Sequence, residues 1–276
     1  MKEKQKIGAV QMATGPNISA NLFEVERLTK EAVDEGARLV VLPENFAFMG
    51  KTDREQLAVR EPDGEGPLQS FLARLSKQLG VWLVGGTIPL AGDDPDKVRA
   101  ACLVFDDRGE RVARYDKIHL FDVNLPGVDE RYHESAVIEA GSELVVIDSP
   151  FGRLGVAVCY DLRFPELFRR MLDSTVEILA IPAAFTAITG KAHWESLVRA
   201  RAIENLTYVV AAAQGGFHIN GRETHGHSMI VDPWGTILAQ VPRGTGYVCS
   251  TIDREFLDSV RRSFPTIHHR RLKCGP

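Results

Sequence analysis

Three short segments bring reactive side chains to the ends of apolar runs, which is where open α/β sheets gather their sites. In Leu42-Pro43-Glu44-Asn45-Phe46, Pro43 cannot donate to a strand ladder, so it closes the run and leaves the Glu44 carboxylate beside an apolar edge. Such a carboxylate suits a general base; taken alone it serves equally as a surface or salt-bridged glutamate. In Tyr115-Asp116-Lys117-Ile118-His119-Leu120-Phe121-Asp122, Lys117 sits among aromatic and aliphatic neighbours. It is either a fixed positive charge for a developing oxyanion or a lysine whose stem covers apolar surface while its head reaches water. His119 reads as a hydrogen-bonded packing residue, since no second ligand stands at metal spacing. The third segment, from Gly155 through Cys159-Tyr160-Asp161-Leu162-Arg163 to Leu167, runs a strand into Cys159, turns, and opens a helix at Pro165. Backbone N–H groups and positive helix ends at such an elbow favour a thiolate, which makes Cys159 a candidate nucleophile. A buried structural role fits Cys102 and Cys249 better, because each lies inside an apolar strand pattern. Base, cation and thiol together suffice for acyl transfer through a thioester.

These groups need a scaffold, and helical and strand-like segments alternate along the chain, the pattern that packs helices against sheets. Residues 6–12 predict a strand, residues 21–35 a helix with Ser19 or Asn21 as cap and Gly36 as stop, and residues 38–42 a buried strand. A helical stripe from Leu68 to Leu79, ended by Gly80, then precedes a strand over 81–88. Three hairpins are expected, around Asp106-Asp107-Arg108-Gly109, Ser149-Pro150-Phe151-Gly152 and Asp232-Pro233-Trp234-Gly235. Strands over 177–183 and 208–213 flank a helix over 192–205. The expectation is a mixed α/β fold in one domain over residues 1–276, with an irregular tail at 263–276.

The 276 residues carry Lys+Arg 33 against Asp+Glu 37, a net charge of −4 that gives no general attraction to nucleic acid. With 44% hydrophobic and 25% charged residues the composition is that of an ordinary globular chain. Cys102, Cys159, Cys249 and Cys274 show neither CxxC nor zinc spacing, so no metal site is expected. No export signal and no run of about 18 apolar residues is visible, which points to a soluble protein of the reducing cytoplasm, with no membrane partner. Without GxGxxG or a P-loop, a nucleotide-binding reading fails.

Leu42-Pro43-Glu44, the segment from Asp116 to Asp122 and the segment from Val158 to Leu167 resemble the three motifs of the nitrilase, or carbon–nitrogen hydrolase, superfamily. They come in the family's order, with gaps of 73 residues (44 to 117) and 42 residues (117 to 159), and the likeness extends from about Lys6 to about Leu272. Thr189-Gly190-Lys191-Ala192-His193-Trp194-Glu195, the segment from Arg199 to Asn205, and Ala211-Ala212-Ala213-Gln214 followed by Gly226 to Gly235 are similar to the amidases, most of all to the deaminated-glutathione amidase branch of the Nit group. The resemblance implies a four-layer α-β-β-α sandwich with mixed sheets, a homodimer or higher homo-oligomer paired through helices, and a tail that docks on the partner subunit. It implies Glu44 as general base, Lys117 as oxyanion stabiliser, Cys159 as nucleophile and Glu134 as a second glutamate that positions the base, water or lysine.

Tyr160, Arg163, Phe185 and Thr186 are the expected substrate-binding residues. For Arg163 a structural ion pair with Glu166 or Asp161 is the open alternative, and His218, His225 and His227 are read as turn residues able to line the mouth. The implied reaction is hydrolysis of the side-chain amide of deaminated glutathione through a thioester, ammonia leaving first, with no cofactor. Alternatives are an ω-amidase for 2-oxoglutaramate, an N-carbamoyl amino-acid hydrolase and an idle scaffold member. Retention of Glu44, Lys117 and Cys159 together argues against the scaffold.

Overall fold

In the first sheet, strands β1 (Gln5–Gln11), β2 (Ala37–Val41) and β3 (Trp82–Val84) run parallel, and helices α1 (Ile18–Asp34) and α2 (Pro67–Leu79) make the crossovers. Strands β4 (Ile88–Ala91), β5 (Val98–Phe105) and β6 (Arg111–Asp116) extend this sheet antiparallel, and a separate ribbon pairs β7 (Asp122–Asn124) with β8 (Arg131–His133). The second sheet takes β9 (Val145–Ser149), β10 (Gly152–Val156), β11 (Ile178–Ala183), β12 (Tyr208–Ala213), β13 (Met229–Val231) and β14 (Ile237–Gln240). Helices α3 (Pro165–Asp173) and α4 (Ala187–Asn205) connect its parallel strands β10, β11 and β12. Strand β15 (Gly246–Ile252) returns to the first sheet beside β1, and α5 (Arg254–Ser263) follows. This computed structural model describes residues 4–125 and 130–272; Lys273 and Cys274 of the tail lie outside them.

Alternation along the strands separates two cores. Leu39 and Val41 face the apolar layer shared with the second sheet, among Val156, Ile181 and Val210, whereas Val40 and Leu42 face α1 and α2 through Leu28 and Leu72. Both faces of β2 are dry, which is why its sequence reads as a continuous apolar run. Each such side chain contributes about 1.5–3 kcal/mol by leaving water. With α3 and α4 against the outer face of the second sheet, the layers are helix, sheet, sheet and helix, as the resemblance implies.

Several local expectations shift. Asn17, not Ser19 or Asn21, caps α1, its Oδ1 accepting from Ala20 N at 3.1 Å. Asn21 lies inside the helix, where its buried amide donates to Gly15 O and Ala47 O, both at 2.8 Å, and so anchors the loop after Glu44. The strand expected over 81–88 breaks at Gly85-Gly86, because β3 pairs with β5 at Val104–Phe105 and β4 pairs with the same edge further along, at Val98–Ala101. A Cβ on Gly86 (φ +56°) would fall 2.2 Å from Pro43 O, so only glycine lets this bend approach the end of β2. Helix α4 starts at Ala187, ahead of the apolar periodicity, since the Thr186 side chain accepts from Thr189 N at 3.3 Å. The sequence reading placed Cys249 in a strand pattern but gave no bounds for β15, which is half-buried with no clean alternation, and it missed the short α5.

Candidate active site

The chain ends of both sheets meet at one cavity. Glu44 follows β2, Lys117 follows β6, Glu134 opens the 3₁₀ turn Glu134–Ala136 after β8, and Cys159 opens the 3₁₀ turn Cys159–Arg163 after β10. All four line the cavity. Lys117 Nζ donates to Glu44 Oε1 at 2.8 Å and to Glu134 Oε1 and Oε2 at 2.7 and 2.9 Å. Glu134 Oε2 also accepts from Phe121 N at 2.6 Å. The ammonium is 2% exposed, so the snorkelling alternative does not hold: two carboxylates from other elements compensate its burial.

Two buried polar side chains hold these groups in register. Asp161 Oδ2 accepts from Tyr115 Oη at 2.6 Å and from Val158 N at 2.8 Å, while its Oδ1 accepts from His119 N at 3.0 Å. It thereby clamps the segment bearing Lys117 to the turn bearing Cys159. His119 fills the packing role expected of it, with Nδ1 2.7 Å from Asp161 Oδ1 and its ring stacked on Phe164. Gln214, at the end of β12, donates to Glu44 O at 2.8 Å and to Thr14 Oγ1 at 2.7 Å, fixing the Glu44 backbone across the sandwich. Neither role was legible beforehand, because each joins residues far apart in sequence.

Cys159 adopts φ +49°, a left-handed conformation costly for a residue with a Cβ and typical of a turn that presents its side chain. Ala184 N lies 3.4 Å from its Sγ. Burial, then the neighbouring Glu44 carboxylate, pushes the thiol pKa up, against the pull of Lys117. Dehydration and Glu44 outweigh the positive groups at the elbow that favour a thiolate, so a base beside the thiol is needed, the part expected of Glu44. Burial opposes the charge on Lys117, but Glu134 and then Glu44 hold its pKa well above the usual lysine value. Glu134 is itself raised, by burial first and by Glu44 as well, although Lys117 counters both. A permanent cation beside a protonated thiol and a carboxylate can run nucleophilic attack on a carbonyl.

Tyr160, Arg163, Phe185 and Thr186 all line the cavity, as expected. The ion pair considered for Arg163 is absent: Asp161 is taken up by Tyr115, His119 and Val158, and Arg163 Nη1 meets His193 Nδ1 at 3.1 Å. None of the three loop histidines lines the cavity. His218 is buried between Thr14 O and Thr224 Oγ1, and His225 stacks on His227. Tyr132 and Arg222 do line it and were not foreseen. The one available signal for Arg222 was Asn220-Gly221, a hairpin turn that pairs Phe217 with Glu223 and folds Arg222 back.

The carbon–nitrogen hydrolase family pattern matches residues 6–262. The chain belongs to the carbon–nitrogen hydrolase family. A protein of Yersinia enterocolitica named deaminated glutathione amidase is 41% identical over 96% of this hydrolase and 93% of its own length. Among solved structures, Saccharomyces cerevisiae Nit3, a member of branch 10 of the nitrilase superfamily, superposes with a TM-score of 0.88 at 30% identity, covering 98% of this chain and 97% of its own. The C. elegans NitFhit protein superposes at 0.87 with 37% identity over 97% of this chain; the hydrolase spans 65% of that longer chain. No described helix of this hydrolase is long and apolar enough to cross a membrane.

Proposed function

We propose that this hydrolase cleaves the side-chain amide of deaminated glutathione, with Cys159 as nucleophile, Glu44 as general base, Lys117 as oxyanion partner and Glu134 holding Lys117. The chemistry rests on one observation: the Lys117 ammonium is clamped by two carboxylates beside a buried thiol. Relatives of that name, matching nearly the whole chain, support the substrate.

Glu44 takes the Cys159 proton as Sγ bonds to the amide carbon, and the carbonyl electron pair moves onto oxygen, against Lys117 and the Tyr160 backbone N–H. Before this step the cluster holds two carboxylates and one ammonium; afterwards it holds one carboxylate, one ammonium and one oxyanion. Its net charge is unchanged, so the step adds no charge to a dry site. Collapse breaks the C–N bond, and the leaving amine takes the proton from Glu44. Water, deprotonated by Glu44, attacks the thioester; the acid leaves and Cys159 regains its proton. The leaving group depends on the amide. In deaminated glutathione the nitrogen belongs to cysteinylglycine, so that amine departs, and the ammonia expected from the sequence is released only by a primary amide such as 2-oxoglutaramate.

The test compares wild type with Cys159→Ala, reading 2-oxoglutarate, the acid common to the two 2-oxo amides, and ammonia from an N-carbamoyl amino acid. Turnover of deaminated glutathione that falls at least ~10⁴-fold in the variant is expected. Turnover of 2-oxoglutaramate or an N-carbamoyl amino acid alone would replace the substrate, and turnover of none would restore the scaffold reading.

The same reading takes residues 1–276 as one domain that works as a homodimer in the cytoplasm. Ile203 on α4, Trp234 in the β13–β14 turn and Phe264 after α5 are exposed apolar side chains, Trp234 meeting Phe264 edge-on at 5.4 Å. Such a patch, which includes Phe264 of the tail, supports pairing through this face. A free catalytic thiol suits a reducing compartment.

A further inference from the structure

Above Cys159 the cavity has a rim that the amide chemistry does not use. Three rings form an arc along it: Phe121 lies 5.0 Å from Tyr160 and 5.0 Å from Tyr132, centroid to centroid. A guanidinium closes each end, Arg163 at 5.7 Å from the Tyr160 ring and Arg222 at 5.1 Å from the Tyr132 ring. The return side is short. Arg222 Nη2 donates to Ala184 O at 2.6 Å, and Arg163 sits 5.0 Å over the ring of the next residue, Phe185. Every member of this ring lines the cavity that holds Glu44, Lys117 and Cys159.

Most part-buried arginines of the molecule meet a carboxylate, although Arg261 takes the carbonyls of Leu206 and Val176 instead and Arg254 Nε is left without a partner. Arg99, Arg114, Arg201 and Arg254, also partly or fully buried, each have a carboxylate within ion-pair distance. Among the described residues Arg163 and Arg222 have none, and Arg222 Nε is buried without a hydrogen-bond partner. Asp53 lines the same cavity and acts on Tyr132, but no ion pair joins it to Arg163 or Arg222. A guanidinium offers five donors in a planar fork that matches a carboxylate, so two of them with open donors on one rim call for two anionic groups or one shared between them.

Position separates these cases. Arg163 belongs to the turn that carries Cys159, and its guanidinium lies over the ring of Tyr160, the residue after the nucleophile. Arg222 couples instead to Tyr132, at the far end of the arc. We propose that Arg222 is a specificity-determining residue that holds a second carboxylate, on the amine side of the scissile amide, while Arg163 holds the carboxylate of the acyl side. This rests on the amidase reading above and names its substrate class: amides with one carboxylate on each side of the bond. Deaminated glutathione has both, an α-keto acid on the acyl side and the terminal carboxylate of cysteinylglycine on the other. 2-Oxoglutaramate has only the first.

The experiment compares kcat/KM for deaminated glutathione, its C-terminal carboxamide and 2-oxoglutaramate in wild type, Arg222→Gln and Arg222→Lys. Arg222→Gln should lower kcat/KM for the diacid about 10- to 100-fold more than for the other two, mainly through KM, and Arg222→Lys should recover part of the loss. Equal losses on all three substrates would mean that Arg222 only braces Ala184, and no loss would mean that it binds nothing; either overturns the proposal. Calorimetric binding of deaminated glutathione to Cys159→Ala, with and without Arg222→Gln, separates the two readings. Binding that weakens about 10-fold or more with Arg222→Gln, in a protein whose wild type hydrolyses none of the amides, would sink the amidase reading and keep Arg222 as the anion site. Binding indifferent to Arg222 would overturn the proposal even in an active enzyme.

Discussion

The floor and the rim of one cavity treat positive charge in opposite ways. On the floor, Lys117 spends its donors on Glu44 and Glu134 and is sealed from water. On the rim, Arg163 and Arg222 lie against aromatic faces, and among the described residues no carboxylate stands within ion-pair distance of either. A cation neutralised by its own protein is held at a fixed place for an oxygen that gains charge during the reaction. A cation left open is kept for an anion that arrives with the substrate. Floor substitutions should therefore act on kcat and on stability, and rim substitutions on KM.

The largest effect on this contrast is expected from Glu44→Gln, which should lower kcat by at least ~10³-fold through loss of the base. The same change removes the negative neighbour that helps push the Cys159 thiol up, so thiolate absorbance should develop at lower pH than in wild type. A titration that stays in place would separate Glu44 from Cys159 and break the floor as described. Next, Lys117→Ala should cost at least ~100-fold in rate. It also leaves two buried carboxylates without their cation, a loss of about 3–5 kcal/mol. Thermal denaturation should show that loss shrinking as pH falls, since protonation then relieves the repulsion; an unchanged Tm would contradict the clamp.

On the rim, Arg163→Gln should raise KM for deaminated glutathione and 2-oxoglutaramate alike, by about 10-fold or more, with kcat far less affected. A change confined to kcat would move Arg163 to the floor. The smallest effect concerns His225, whose backbone N–H donates to Phe185 O behind the rim at 2.9 Å. Burial, then His227, lowers its pKa to about 4. In the unfolded chain the same imidazole takes a proton near ~6.5, so it subtracts stability progressively as pH falls from there toward its folded value. The decline of Tm over that window should be shallower in His225→Asn by about 2 °C, and an identical slope would show that the ring stays accessible to protons.

How far the site was legible depended on whether its signal was local. Pro43 and Pro165 mark a strand end and a helix start by themselves, and Glu44 and Cys159 stand next to them. Lys117 was ambiguous because an ammonium among apolar neighbours snorkels unless something compensates it, and its compensation comes from Glu44 and Glu134, 73 and 17 residues away. At Cys159 the elbow is visible in sequence, but the dehydration by both sheets and the nearness of Glu44 that raise its thiol are not. Arg222 escaped notice because its loop drew attention to its histidines, which proved to be packing and turn residues. In the fold, strands buried on both faces were plain, whereas half-buried β15 showed only the apolar pattern around Cys249 and not its bounds, since its burial is decided by pairing with β1.

The sequence by itself determined the order of strands and helices, the elbow at Cys159 and the set of reactive groups, because propensity, turn chemistry and apolar periodicity act over a few residues. Only the tertiary structure decided which charges are paired and which are left open. Lys117 becomes a saturated cation where chain ends of separate elements converge, while Arg163 and Arg222 keep their forks free on the rim of the same cavity. Pairing between charges depends on distance and dehydration in three dimensions, and neither is written in spacing along the chain.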